Sequence, residues 1–117
     1  MDLRDSLMMN PACAALVLAA GAIFASVAMA EPRFSAEDIE KGRLEFHRTC
    51  SHCHGYNMVN SVTTAYDLRR FPIDDPDRFF NSVTNGKGNM PSFKDALTSE
   101  QVKLLWAYVG SHGGKEP

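Results

Sequence analysis

Apolar residues recur at helical spacing in three stretches of this 117-residue chain, and polar turn residues divide them. The first stretch follows Phe34-Ser35-Ala36-Glu37-Asp38. Ser35 is a helix cap, and Glu37 and Asp38 place acidic charge in the first turn, where the helix dipole favours it. Phe34 and Ile39 occupy the two positions of a hydrophobic staple. Ile39, Gly42 and Phe46 then share one face, which predicts a helix running to about Thr49. A mid-helix glycine costs about 1 kcal/mol against alanine, so Gly42 implies close approach of another helix. Asp75-Pro76 opens a second helix, with aspartate as cap and proline at the first position. Its stripe is Phe79, Phe80 and Val83, and Asn85-Gly86 ends it. Thr98-Ser99-Glu100-Gln101 is a capping box that opens a third helix through Val102, Leu105, Trp106 and Val109, stopping near Gly110.

The connecting segments carry little periodicity. Gly55 to Thr64 is polar and β-branched and reads as a loop. Ala65 to Phe71 holds one short turn of helix, stopped by Pro72. Lys87 to Phe93 reads as an extended loop, in which Pro91 forces Met90 out of the helical region. Gly113 to Pro117 reads as a frayed tail. Every regular element is helical, and no repeat or second domain is visible, so the expected fold is all-α and single-domain.

The N-terminus stands apart. From Ala12 to Ala30 the chain is almost wholly apolar, ends in the small-residue pattern Ala28-Met29-Ala30, and turns polar at Glu31-Pro32. This reads as an export signal covering residues 1–30, cleaved to leave a domain of residues 31–117 in the periplasm. The alternative is a retained membrane anchor, since about 19 residues can span a bilayer. The stretch is alanine-rich and only mildly hydrophobic, which favours cleavage. Its basic region is imperfect, because Arg4 lies between Asp2 and Asp5. Cys13 leaves with the signal, so Cys50 and Cys53 are the cysteines of the mature chain.

Composition narrows the function. The chain is 44% hydrophobic and 22% charged, which is globular rather than disordered. A formal net charge of −2 and the absence of Lys/Arg runs argue against a nucleic-acid surface. A domain this small is marginal alone, and a large apolar cofactor at its centre would offset that deficit.

Cys50-Ser51-His52-Cys53-His54 supplies the candidate chemistry. It is C-x-x-C-H, the attachment signature of a c-type haem. Two thiols at that spacing can each add to a haem vinyl group, and the following imidazole can reach the iron. A zinc site is the first rival, but structural zinc takes four ligands from well-separated pairs, and here the candidates crowd into five residues. A redox dithiol is the second, but the βαβ pattern expected around it is absent.

A haem iron held by His54 has a sixth position. Met58 is tethered too closely and is expected to pack near the haem edge. His47 lies on the first helix and is expected to be solvated, His52 points away, and His112 lies in the tail. Met90 sits far enough downstream for the chain to wrap the ring, in a loop able to hold a side chain against a flat surface. The favoured ligand pair is therefore His54 and Met90. Such a centre moves single electrons, whereas an open site would suggest a sensor or a peroxidase-like enzyme.

These residues resemble the class I cytochromes c over about residues 35–110. Cys50, Cys53 and His54 match the haem motif, and Met90-Pro91 looks like the distal loop. Gly42 and Phe46, with Leu105 and Tyr108, look like the positions where first and last helices cross. The resemblance implies one haem c attached through Cys50 and Cys53, His54/Met90 ligation, and a monomeric electron carrier rather than an enzyme. It departs in one place. The family's proline loop after the motif, whose carbonyl orients the proximal imidazole, has no counterpart between Asn57 and Thr64, which leaves the partner of His54 unassigned. The stretch Tyr66 to Pro72 is similar to small periplasmic cytochromes serving pyrroloquinoline-quinone alcohol dehydrogenases, including methanol dehydrogenases. That implies such a dehydrogenase as donor and a downstream cytochrome or terminal oxidase as acceptor. Arg69 or Arg70 would then pair with a haem propionate or remain a solvated arginine. A membrane-held subunit of a larger redox complex is the alternative if residues 1–30 are retained.

Overall fold

The computed structural model describes residues 31–60, 62 and 64–116, with 21–23 and 25–26 ahead of them. The proposed signal and its cleavage site lie largely outside the described residues. Among the described residues four helices carry the fold: α1 (Ala36–Thr49), the short α2 (Ser51–His54), α3 (Pro76–Asn85) and α4 (Ser99–Gly110). Tight 3-10 turns at Tyr56–Met58 and Leu68–Arg70 interrupt the connection between α2 and α3. The architecture is all-α. An isolated antiparallel bridge between Lys87 and Met90 is the extended pairing among the described residues.

The caps act as the sequence implies. Ser35 Oγ accepts from the Asp38 amide at 3.0 Å, and Asp75 accepts from the Arg78 amide at 3.2 Å. At α4 both arms of the capping box form: Gln101 N to Thr98 Oγ1 at 3.2 Å, and Thr98 N to Gln101 Oε1 at 2.8 Å. Each cap satisfies amide hydrogens that the helix cannot pair internally.

Helices α1 and α4 cross at Gly42. A Cβ there would stand 1.9 Å from the Leu104 carbonyl oxygen, so the crossing excludes any side chain. Phe46 and Leu105 lie beneath it, 1% and 0% exposed, and each such burial contributes roughly 1.5–3 kcal/mol. The Phe46 and Tyr108 rings meet at 5.2 Å. Glu45 adds a polar tie that sequence reasoning missed. Its buried carboxylate pairs with Arg48, accepts from Thr49 Oγ1 at 2.8 Å, and accepts from Gln101 Nε2 of α4 at 3.4 Å.

Trp106 joins α3 to this frame. Its ring lies 5.1 Å from Phe79, 5.9 Å from Phe71 and 6.3 Å from Phe34. Phe79 and Val83 are buried, so the α3 stripe faces α4 as its spacing predicts.

The C-terminal tail is not frayed over its described residues. Gly113 N donates to the Tyr108 carbonyl at 2.8 Å and Glu116 N to the Ser111 carbonyl at 2.9 Å. His112 Nε2 lies 3.1 Å from the Phe71 carbonyl, and its Nδ1 lies 3.0 Å from the Glu116 carboxylate. The turn residues that looked like a loose end instead dock it.

Candidate functional site

The C-x-x-C-H motif follows α1 almost without a break. Cys50 caps α1, with its amide on the Phe46 carbonyl at 2.8 Å, and α2 carries Ser51 to His54. Ser51 Oγ donates back to the His47 carbonyl at 2.5 Å, which fixes the junction. One helical turn therefore carries Cys50, Cys53 and His54, and the frame of the molecule aims it. Cys50 is half-buried against the core and Cys53 is exposed. Burial pushes the Cys50 thiol up to about 12, and the Glu45 carboxylate and Cys53 act in the same direction.

His54 has the partner that the sequence left open. Its Nδ1 lies 3.2 Å from the Tyr66 carbonyl oxygen. A carbonyl only accepts, so Nδ1 carries the proton and Nε2 keeps its lone pair for a metal. Burial holds the imidazole below its ordinary range, and the bond to Tyr66 opposes that shift. The carbonyl is presented just before the Leu68–Arg70 turn, where Asp67 accepts from the Arg69 amide at 3.1 Å. Asp67 followed by a turn was the available signal, but a main-chain carbonyl leaves no side-chain signature in sequence.

Met90 lies in the chain that follows α3. Lys87 and Met90 exchange two backbone hydrogen bonds at 2.9 and 3.0 Å, so the expected extended loop is a tight turn. Gly86 makes this possible. Its φ is +77°, and a Cβ there would stand 2.6 Å from the Met90 carbonyl oxygen. Ser92 Oγ donates to the Thr84 carbonyl at 2.5 Å, and Phe93 N donates to the Val83 carbonyl at 2.9 Å. Together these staple the turn to the end of α3. Met90 packs at the margin of the same core as Cys50.

The other candidates have different roles. His47 is not solvated. It stacks on Tyr56 with centroids 4.1 Å apart, accepts from Arg43 at Nδ1 (3.2 Å), and buries Nε2. The solvated reading failed because the chain turns back after α2 and lays Tyr56 on the ring. Met58 is 3% exposed and fills the core. Arg69 is held by Asp67 through two contacts of 2.9 Å, while Arg70 is exposed.

The family model described as cytochrome C oxidase, cbb3-type, subunit III matches residues 37–109. Cytochrome c6 of Nostoc sp. is 34% identical over 98 residues, covering 80% of this chain and 86% of its own. The chain belongs to the class I c-type cytochromes. Cytochrome c6 of Rippkaea orientalis is 35% identical over 91 residues, 74% of this chain and 81% of its own. That of Gloeothece citriformis is 37% identical over 78 residues, 63% and 71% respectively. No solved structure matches significantly. This cytochrome thus carries covalently bound haem c and is an electron carrier, not an enzyme. Among its described residues no helix is long and apolar enough to cross a membrane.

The residues present fit that cofactor. The cytochrome offers two thiols at C-x-x-C spacing and a neutral imidazole with Nε2 unprotonated. A thioether lies in a stapled turn on the same core. The thiols suit covalent attachment to the vinyl groups, and the imidazole and thioether are donors suited to haem iron.

Proposed function

We propose that this cytochrome is a one-electron carrier of the periplasm, with Cys50 and Cys53 as thioether anchors and His54 and Met90 as axial ligands. The orientation of His54 carries the reading. With Nδ1 given to the Tyr66 carbonyl, Nε2 is the nitrogen left to bind metal. Haem iron, when bound, supplies the one-electron couple. His54 would bind the iron through Nε2, and the hydrogen bond at Nδ1 would raise its basicity as a ligand. Met90 would be the second ligand, and its thioether would exclude small oxidants, favour the ferrous state and raise the reduction potential.

The donor is a dehydrogenase, and the Tyr66 to Pro72 stretch supports a quinoprotein alcohol dehydrogenase. The acceptor is a downstream cytochrome or a terminal oxidase. Both dock on the monomer through small, transient interfaces. The apolar stretch ending at Ala30 supports export and cleavage. The donor is tested by rapid mixing of the ferric holoprotein with a panel of periplasmic dehydrogenases. Fast, saturable reduction by a quinoprotein alcohol dehydrogenase is expected, and uniformly slow, non-saturating reduction by that enzyme contradicts the assignment. Mass spectrometry of the exported protein should find Glu31 at the N-terminus, and a retained leader contradicts cleavage.

A further inference from the structure

We propose that Arg78 is a positioning residue for the proximal imidazole, holding the Tyr66 carbonyl at His54 Nδ1 by clamping the Tyr66 ring. The inference rests on reading His54 as an iron ligand.

Tyr66 is a weakly anchored residue with an important carbonyl. It lies in irregular chain and is 47% exposed. Local restraints act on its neighbours instead. Asn60 Nδ2 donates to the Ala65 carbonyl at 2.7 Å, and Asp67 caps the following turn. The Tyr66 hydroxyl reaches the Arg70 carbonyl only at 3.4 Å, near the limit of a hydrogen bond.

The ring is better held. The Arg78 guanidinium sits 5.2 Å from the Tyr66 centroid and 5.1 Å from the Phe71 centroid. The two rings meet edge to face at 6.2 Å and 80°. Phe71 is buried against Phe79 and Trp106, so the clamp fastens Tyr66 to the core. Among the described residues no carboxylate forms an ion pair with the Arg78 guanidinium, which makes the rings its partners. A guanidinium over an aromatic face is held by the ring quadrupole, more firmly when partly desolvated. Arg78 is half-buried. It also belongs to α3, the helix whose far end carries the Met90 turn. The helix that leads into the Met90 turn therefore also steadies the Tyr66 carbonyl.

The consequence is chemical. An imidazole that donates from Nδ1 is a more basic ligand, which favours ferric iron and lowers the potential. Loosening Tyr66 weakens that bond and raises the potential. Removing the Arg78 cation has a direct coulombic effect of opposite sign, because a nearby positive charge disfavours ferric iron. The potential of an Arg78 variant alone is therefore ambiguous, and a neutral change at Tyr66 separates the two effects.

Two readouts on the holoprotein test the proposal, alongside thermal midpoints. The first is solvent exchange of the His54 Nδ1 proton, followed by NMR in the reduced state. Arg78→Ala should speed it several-fold, and Arg78→Lys, which keeps a cation over the rings, should restore most of the protection. The second is the reduction potential. Tyr66→Leu removes the ring without changing charge and should raise it, whereas Tyr66→Phe keeps the ring and should leave both readouts near wild type. Unchanged exchange in Arg78→Ala together with an unchanged potential in Tyr66→Leu overturns the proposal, as do changes that merely follow thermal stability. A wild-type ferric spectrum without paramagnetically shifted His54 resonances overturns the ligation reading, and the clamp with it. Shifted His54 resonances with unmoved exchange overturn the clamp alone.

Discussion

The α1–α4 crossing and the segment from Tyr56 to Tyr66 are held in opposite ways. At the crossing, Phe46 and Leu105 are 1% and 0% exposed, and Gly42 lets the backbones touch. In the segment, Tyr56 is 68% exposed and Val59 55%, with Met58 as the deep anchor. Asn57 and Met58 also occupy left-handed backbone, at φ +53° and +64°. The crossing is stabilised by buried area and close packing. The described residues of the segment are held by single hydrogen bonds and ring contacts, yet they deliver the carbonyl that orients His54. Changes in the frame should therefore alter stability, and changes in the segment should alter the properties of the iron while leaving stability nearly intact.

Gly42→Val should have the largest effect. Any Cβ meets the Leu104 carbonyl at 1.9 Å, and α1 and α4 cannot separate without exposing the core, so a loss of about 3 kcal/mol or more is expected in urea unfolding of the holoprotein. Gly86→Ala comes next, at about 2 kcal/mol in the same measurement, because it adds a left-handed strain to a clash with Met90. It should also weaken the spectroscopic signature of Met90 ligation. Thr98→Ala removes one arm of the capping box and should lower the urea-derived stability by about 1 kcal/mol. Asn57→Gly should have the smallest effect, under about 0.5 kcal/mol, since asparagine already tolerates the left-handed region. A larger loss at Asn57 would show that the segment belongs to the frame, and the contrast would fail.

The frame was legible because each of its devices is local in sequence. Ser35, Asp75 and Thr98 announce caps, and apolar spacing places Phe46, Phe79 and Leu105 on buried faces. Gly42 was informative because a mid-helix glycine needs a reason. The motif was legible because thiols and imidazole must sit at fixed spacing to meet one cofactor. The rest depends on contacts between distant residues. Tyr66 reaches His54 through its backbone, which no residue type encodes. His47 looked solvated because its cover, Tyr56, arrives only after α2 reverses the chain. The tail looked loose because its dock, the Phe71 carbonyl, lies 41 residues upstream of His112. Pro91 announced that Met90 lies outside a helix, but the tight turn that replaces the expected extended loop depends on Gly86 and on Ser92 bonding to Thr84.

The central claim is that Met90 completes an iron site begun by His54. The near-infrared sulfur-to-iron charge-transfer band of the ferric holoprotein tests it most directly. The band should be present in the wild type and lost in Met90→Ala, whose ferrous form should bind carbon monoxide rapidly. A wild-type protein without the band, or a band that survives Met90→Ala, would contradict the account.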